Sequence, residues 1–380
     1  MERLEVAPRP NWREACEAVG FTFHSMDGVY WDESHCYRFT AAQIDELEAA
    51  TLALHKLTLA AIDQIVATDR FGQLAIPAAF ADYVRASWRA KEPALAGRFD
   101  LAYDGVNPPK LLEYNADTPT ALLEASVVQW RWLQQAVLPA TPEADQFNSL
   151  HEKLIANWRA LGMTSSANTT VHFACVKDSD EDRGNIEYQR DVATQAGLAT
   201  RFVYIEDIGW ADEERCFVDD EGTIIDVLCK LYPWEWLMRD EFGPHLLETQ
   251  LKVIEPTWKI LLSTKGLLPV LWEMNPNHPN LLPAAFERFR MSGNYVQKPL
   301  YSREGANVTV YRGAEVLREG GTYGDEGWIY QAYTPLPRFG AYYAVIGSWV
   351  VGDEPAGIGV REDLTPITRN SSHFVPHYFV

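Results

Sequence analysis

Two alternating runs of residues, in the segment GRFDLAYDGVNPPKLLEYNADTPT, limit the folding of this chain more than any other feature. Gly105, Asn107, Pro108 and Pro109 lie between the runs and favour turns, so the segment predicts a β-hairpin. Neighbouring side chains of a strand point to opposite faces. One face of the hairpin would therefore be apolar, with Phe99, Leu101, Tyr103, Leu112 and Tyr114, and the other polar, with Arg98, Asp100, Glu113 and Asn115.

The polar face of this hairpin has the composition of a magnesium site. Mg²⁺ prefers oxygen ligands and is usually held by one or two carboxylates together with substrate phosphates. Asp100, Glu113 and Asn115 supply such oxygens, and Arg98 beside them would contact phosphoryl groups. Acidic residues on a solvent-facing hairpin, with a salt bridge at its edge, explain the same pattern, so both interpretations remain open.

The rest of the chain is typical of a mixed α and β protein. A capping box at Thr40 and Gln43 predicts a long amphipathic helix, and a second helical pattern passes through Val84 and Trp88. Residues 171–203 predict strand, polar loop, helix and strand. The loop KDSDEDRG would lie at the carboxyl end of a strand, where open α/β sheets commonly bind ligands, although a solvated run of charges is an equally valid interpretation.

Composition argues against several classes of protein. The net charge of -20 disfavours nucleic-acid binding, which depends on clustered Lys and Arg. The five cysteines are odd in number and widely spaced, the first residues lack a basic region followed by an apolar one, and no stretch has ~18 uninterrupted apolar residues. We therefore expect a cytoplasmic protein without a membrane segment, whose oligomeric state the sequence leaves open.

Two lysines and a glutamine suggest a phosphate or nucleotide site. Lys298 lies within the apolar strand YVQKPL, and a buried ammonium group needs a partner that a phosphate would supply. The following YSREGANV resembles a lid, Lys265 precedes an apolar run, and Gln331 ends a strand where it would reach an adenine edge. The chain contains no GxxxxGK[ST] and no GxGxxG after a strand, so those two phosphate-binding loops are excluded.

Seven segments occur in order along almost the whole chain: GRFD, LLEYNADTPT, KLYPWEW, STKGLLPVLWEMNPNHPNLL, YVQKPLYSREGANV, WIYQAY and GVREDLTPITRNSSHFVPHYF. In this combination the chain resembles the glutathionylspermidine synthase family, especially its shorter acid–amine ligases. The resemblance implies an α+β protein with an ATP-grasp fold after a preceding α/β region, and a synthetase region over 1–380. Its parts would be the N-terminal helices and metal-binding hairpin at 1–165, a substrate-binding α/β part at 166–255, and a nucleotide-binding part at 256–380.

The resemblance also implies the site, with ATP and two Mg²⁺ ions as cofactors. Its metal ligands would be Asp100, Glu113 and Asn115, and its catalytic arginines Arg98 and Arg361. The residues that bind the nucleotide would be Arg98, Phe99, Asp100, Lys265, Lys298, Gly305, Gln331, Ala332 and Tyr333. The residues that bind the substrates would be Thr118, Thr120, Glu181, Asp182 and Arg303.

The expected reaction joins a small carboxylic acid to an amine through an acylphosphate. An ATP-grasp phosphotransferase and a non-catalytic amine- or peptide-binding protein remain as alternatives. Glutathione-binding family members carry threonines around the KxxxWE turn, where this chain has Leu231 and Trp236. Glutathione with spermidine is therefore not expected to be the efficient substrate pair.

Overall fold

The computed structural model describes residues 1–25, 28–161 and 170–380. Turns of π type at Glu124–Val128 and Leu133–Val137 flank the short helix Gln129–Trp132 on both sides. Within the described ranges the α-helices are α1 (Trp12–Glu17), α2 (Ala41–Ala67), α3 (Ala81–Arg89), α4 (Gln129–Trp132), α5 (Leu150–Ala160), α6 (Asp180–Gln195), α7 (Trp234–Leu237), α8 (Ile260–Ser263) and α9 (Leu267–Met274).

The strands of the described residues are spread over the whole length of the chain. They are β1 (Glu2–Glu5), β2 (His35–Phe39), β3 (Ala96–Ala102), β4 (Lys110–Asn115), β5 (Thr170–Cys175), β6 (Ala199–Tyr204), β7 (Gly209–Ala211), β8 (Cys216–Val218), β9 (Val227–Lys230), β10 (Lys252–Ile254), β11 (Ala284–Ala285), β12 (Tyr295–Pro299), β13 (Thr309–Arg312), β14 (Glu315–Arg318), β15 (Trp328–Ala332), β16 (Arg338–Phe339), β17 (Tyr342–Val351), β18 (Glu354–Asp363), β19 (His373–Val375) and β20 (His377–Phe379).

A central antiparallel sheet has the order β19-β18-β17-β3-β4, with β16 beside β17. β3 and β4 form the hairpin that the sequence predicts. Because β17 pairs with β3, residues near position 100 lie beside residues near position 350. The first and third predicted parts of the chain thus share one sheet, and the boundary expected at 165–166 lies outside the described residues.

Two further sheets carry the other parts of the site. β10, β9, β5 and β6 form a parallel sheet, and α6 packs on β5 and β6, which confirms the predicted strand–helix–strand unit. β11, β15, β12, β13 and β14 form an antiparallel sheet that includes YVQKPL and WIYQAY. Smaller sheets join β1, β2 and β20, and β7 with β8. The chain is therefore a mixed α and β protein with several sheets.

The long helix α2 covers one face of the central sheet. It begins with the predicted capping box, since Thr40 Oγ1 accepts a hydrogen bond from Gln43 N at 3.3 Å and Gln43 Oε1 accepts one from Thr40 N at 3.1 Å. Its buried residues Leu47 and Leu54 belong to the same apolar cluster as Phe99. Among the described helices, α2 is long and apolar enough to cross a membrane by length and composition, a test that buried core helices also pass.

Candidate active site

The hairpin sorts its side chains as its alternation predicts, with one exception. Arg98 lies opposite Asn115, and Asp100 opposite Glu113, on one face. On the other face the rings of Phe99 and Tyr114 stack with their centroids 3.9 Å apart. This polar face is therefore built from two neighbouring pairs of side chains.

The exception is Leu112, which was expected on the apolar face. The register shifts after the pair of Asp100 and Glu113, because Leu101 pairs with Leu111 and leaves Leu112 as an unpaired bulge residue. Leu111 is fully buried, whereas Leu112 lines a cavity beside Glu113. A bulge inserts one residue and so reverses the faces beyond it, which alternation alone does not reveal.

Asp100 is buried beneath two arginines. Arg98 Nε and Nη2 donate to its two carboxylate oxygens at 2.7 and 3.2 Å, and Arg361 Nη2 donates to Oδ2 at 3.0 Å. Asn115 Nδ2 donates to the same Oδ2 at 3.2 Å. Gly347 on β17 makes room for this arrangement, because a Cβ atom there would lie 2.8 Å from Cδ of Arg98. Both predicted catalytic arginines and Asn115 thus contact Asp100, one of the predicted metal ligands.

Glu113 is surrounded by the two predicted lysines. Lys265 Nζ lies 3.2 Å from its carboxylate, and Lys298 is close enough to act on its charge. Burial alone would raise the pKa of Glu113, but the positive charges of Lys265 and Lys298 lower that pKa to about 2. Burial lowers the pKa of Lys298 to about 8, against the opposing charge of Glu113. This corner of the site therefore holds two ammonium groups around one carboxylate, an excess of positive charge.

Gln331 binds Lys298, a contact that the sequence did not predict. Its side chain is buried, Oε1 accepts a hydrogen bond from Lys298 Nζ at 2.8 Å, and Nε2 donates to the Leu111 carbonyl at 2.9 Å. The amide therefore holds Lys298 against β4, and Gln331 also lines the cavity beside it. Ala332 and Tyr333, the next two residues, line the cavity as expected.

Two cavities adjoin at this site, and eight of the nine residues predicted to bind the nucleotide line one or the other. A space of about 100 Å³ is bordered by Asp100, Glu113, Lys265, Lys298, Gly305, Gln331, Ala332 and Tyr333, and Arg98 borders its neighbour. Phe99 is the exception, because its side chain is fully buried in the core on the opposite face of the hairpin. A contribution from the Phe99 side chain is therefore ruled out by the strand alternation itself.

A second cavity of about 270 Å³ adjoins the first. Glu113, Ser302, Gly305 and Thr368 border both spaces. All the predicted substrate residues line the second cavity, together with both arginines and Asn115: Thr118, Thr120, Glu181, Asp182 and Arg303. We call these spaces the first and second cavities below.

The acidic pair Glu181 and Asp182 lies at the start of a helix, although the sequence predicted a loop. Ser179 caps α6 by accepting a hydrogen bond from Asp182 N at 3.1 Å, and Glu181 is buried with only 8% of its surface exposed. Burial is the largest cause that raises the pKa of Asp182 to about 7, and the negative charge of Glu181 is the next largest. Burial, followed by the charge of Glu304, also raises the pKa of Glu181. The run KDSDEDRG is therefore more than a solvated charge run.

The loop YSREGANV packs against the second cavity through Arg303. Its Nη1 donates to Thr118 Oγ1 at 2.7 Å, and its Nη2 lies 3.2 Å from Glu235 Oε1. Its guanidinium carbon also stands 5.4 Å from the centre of the Trp236 ring. Glu235 and the neighbouring Glu304 are site residues that sequence reasoning missed.

A buried ion pair connects the hairpin to the parallel sheet, and sequence reasoning missed it as well. Lys230 Nζ donates to Asp117 Oδ1 at 2.7 Å, and Trp234 N donates to Asp117 Oδ2 at 2.7 Å. Both charged side chains are almost fully buried. Lys230 stands in the apolar strand VLCK, so the reasoning that singled out Lys298 could have found it.

Comparison with known proteins decides the family. The sequence profile described as "Glutathionylspermidine synthase preATP-grasp" matches residues 3–380. This chain belongs to the glutathionylspermidine synthase family. A Haemophilus influenzae protein named "Putative acid--amine ligase" is 44% identical over 401 residues, with both chains fully covered.

A second relative is longer than this chain. The trypanothione synthetase of Crithidia fasciculata is 30% identical over 84% of this chain, which spans 53% of that protein. A glutathione synthetase-like effector from Globodera pallida has a related fold, with a TM-score of 0.56, 11% identity, and coverage of 98% of this chain and 100% of that one. Membership of this family of synthetases identifies the chain as an enzyme, an amide-forming ligase.

Proposed function

We propose that this ligase uses ATP and two Mg²⁺ ions, in an ATP-grasp fold, to activate a carboxylic acid as an acylphosphate that an amine attacks. The observation that carries the proposal is the meeting of the two cavities at Glu113. A nucleotide in the first cavity would face a carboxylate in the second across that point. Phosphoryl transfer depends mainly on positioning and on charge neutralisation, and the groups that supply both here are Arg98, Arg361, Lys265, Lys298, Asp100, Glu113 and Asn115.

The oxygen donors at this junction suit magnesium. Asp100, Glu113 and Asn115 project from one face of the hairpin, and in the free chain the two carboxylates are neutralised by arginine and lysine. Mg²⁺, when bound, supplies charge neutralisation for phosphate oxygens. The guanidinium groups of Arg98 and Arg361, which both contact Asp100, would stabilise the negative charge of the transferred phosphoryl group.

The second cavity suits an amine as the acceptor. An alkylamine is protonated at neutral pH and must lose a proton before it attacks. Asp182, whose pKa burial raises to about 7, is suited to accept that proton beside the carboxylate of Glu181. The nitrogen lone pair then forms the C–N bond while the bond between the acyl carbon and the phosphate oxygen breaks. The remaining extra proton of the nitrogen passes to the departing phosphate, which yields an amide and inorganic phosphate.

ADP release across a panel of acids and amines, with product masses, tests this proposal. We expect release to require Mg²⁺, one acid and one amine together, and the product mass to equal the sum of both substrates less water. Asp100→Asn should abolish turnover, whereas Asp353→Asn, at an exposed turn of the same sheet, should not. A stable phosphate ester or phosphorylated guanidine, formed with no amide, would instead identify a phosphotransferase, and nucleotide binding without turnover would identify a non-catalytic binding protein.

A further inference from the structure

A buried carboxyl group that the proposed reaction does not use lies behind the second cavity. Glu124 stands in the first π-type turn after the hairpin segment and is fully buried. Its Oε1 accepts a hydrogen bond from the Tyr30 hydroxyl at 2.6 Å. Its Oε2 has no hydrogen-bond partner among the described residues. A buried polar atom without a partner is costly, so its retention calls for an explanation.

The segment that carries Glu124 is tied to both sides of the second cavity. Arg98 Nη1 donates to the Thr120 carbonyl at 2.6 Å. Leu122 N donates to Asn185 Oδ1 at 3.1 Å, and Asn185 Nδ2 donates to the Glu181 carbonyl at 3.1 Å. The backbone before Glu124 is thereby fixed to the catalytic arginine on one side and to the start of α6 on the other.

The charges around this buried group come from several elements. The charges of Glu181 on α6 and Arg98 on β3 act on the pKa of Glu124. The charges of Glu124, Glu181 and Arg361 act on the pKa of Tyr30. Glu181 in turn faces Glu304 and Arg361, with Thr120 and Asn370 close to its carboxylate. Asp182 is affected by Glu181, Arg303 and Glu304. Glu124 is thus one of four carboxyl groups concentrated at this end of the second cavity.

We propose that Glu124 and Tyr30 are positioning residues for the amine, because ionised Glu124 adds a buried negative charge behind Glu181 and Asp182. That charge strengthens the attraction of the second cavity for an ammonium group and increases the proton affinity of Glu181, the carboxylate whose charge acts on Glu124. The inference rests on the proposed function, since it requires a cationic amine in the second cavity. This role accounts for Glu124 Oε2, which has no partner among the described residues, because the ammonium group of the substrate would supply the opposite charge.

The protonation of Glu124 makes this role sensitive to pH. Burial raises the pKa of Glu124 to about 7, while the hydrogen bond from Tyr30 favours the ionised form. The negative charge is therefore present above about pH 7 and is lost as the pH falls below it. Removal of the Tyr30 hydroxyl would raise the pKa of Glu124 further, so that the charge would appear only at higher pH.

Calorimetric titration with spermidine as the probe amine, at pH values from about 6 to 9, tests the inference in the full chain. The wild-type chain should bind spermidine more weakly as the pH falls through about 7, the pKa of Glu124 and of Asp182. Glu124→Gln should weaken binding about fivefold at the alkaline end and shift the remaining pH dependence to lower values. Tyr30→Phe should weaken binding at neutral pH but recover at the alkaline end, because Glu124 still ionises there.

Tyr37→Phe is the matched control. Tyr37 is equally buried and donates to buried Glu362 Oε2 at 2.6 Å, away from both cavities, and its variant should titrate as the wild type does. Wild-type pH dependence in both Glu124→Gln and Tyr30→Phe would overturn the inference, and Tyr30→Phe alone decides it if Glu124→Gln does not fold. A different result is possible, in which the wild-type chain binds a magnesium–ATP analogue but does not bind spermidine. That result would show that the proposed amine site itself is wrong, and the inference would fail with it.

Discussion

At the scale of a single residue, Lys298 gives the site a buried positive charge that an anion would neutralise. Its ammonium group is buried and donates to two neutral oxygens, the Leu112 carbonyl and Gln331 Oε1, each at 2.8 Å. Neutral acceptors satisfy hydrogen bonds without cancelling the charge. A nucleotide phosphate would cancel it, so Lys298 should contribute more to nucleotide binding than to folding.

Lys298→Met should weaken the binding of a non-hydrolysable ATP analogue by roughly 10- to 100-fold, as the loss of a charge-assisted hydrogen bond does. The free energy of unfolding should stay the same or rise, because the variant no longer buries an ammonium group. Calorimetric titration and thermal denaturation measure the two effects. Lys259→Met is the control, since Lys259 is also buried but pairs with Glu255 at 3.3 Å outside the site, and it should lower stability without changing nucleotide affinity.

Sequence reasoning succeeded at residues whose environment is local. The strand YVQKPL is apolar enough that Lys298 stands out on its own. The role of Gln331 could not be predicted in this way, because its partners lie on β4 and β12, far away in the sequence. The pair of Asp117 and Lys230 is 113 residues apart, so neither member indicates the other.

At the scale of an element, the loop YSREGANV depends on Gly305. Its φ is +73°, and a Cβ atom there would lie 2.6 Å from Ile367 Cγ2 and 2.8 Å from the Thr368 carbonyl. The observed packing of this loop against residues 367 and 368 therefore tolerates only glycine.

Gly305→Ala should lower the turnover number by about 10- to 100-fold, because the packed loop would carry about 1–3 kcal/mol of strain. Steady-state ADP release measures this effect. Gly313→Ala is the control, since Gly313 also has a positive φ, +58°, but a Cβ atom there meets no atom within 4 Å. Equal losses in both variants would show that backbone strain alone, and not the packing of this loop against residues 367 and 368, sets the rate.

The turn KLYPWEW should determine which acid the enzyme accepts. Leu231 is buried and Trp236 is 37% exposed, and both line the second cavity where the resemblance places threonines. Each lost hydroxyl near a charged ligand costs about 1.5–3 kcal/mol. Leu231→Thr combined with Trp236→Thr should therefore raise kcat/KM for glutathione with spermidine at least tenfold, whereas Leu247→Thr, at an exposed leucine, should not. Efficient turnover of that pair by the wild type would contradict this interpretation.

At the scale of the whole molecule, stability depends on how the hairpin is joined to the parallel sheet. The ion pair of Asp117 and Lys230 makes that junction, and both side chains are almost fully removed from water. Asp117→Asn should lower the free energy of unfolding by about 3–5 kcal/mol, because a buried lysine would lose its counter-charge. Chemical denaturation measures this loss. Glu354→Gln, which breaks an exposed pair with Lys153, should change stability by less than about 1 kcal/mol.

The sequence predicted the elements of the fold better than their assembly. The hairpin, the capped helix α2 and the strand–helix–strand unit all follow from local periodicity and are confirmed. The pairing of β3 with β17 does not follow from it, because the two strands are more than 200 residues apart and nothing local to either specifies the partner. The bulge at Leu112 was missed for the same reason, since it is imposed by the register between strands.

The central claim is that one site transfers a phosphoryl group to a carboxylate and then exchanges it for an amine. The most direct test uses a carboxylic acid labelled with ¹⁸O in its carboxylate, together with ATP, Mg²⁺ and the amine that the substrate panel selects. Mass spectrometry of the inorganic phosphate follows the label. We predict one ¹⁸O atom in the phosphate for every amide formed, because the acyl–oxygen bond breaks when the amine attacks. Amide formation with unlabelled phosphate would contradict an acylphosphate and with it the proposed mechanism.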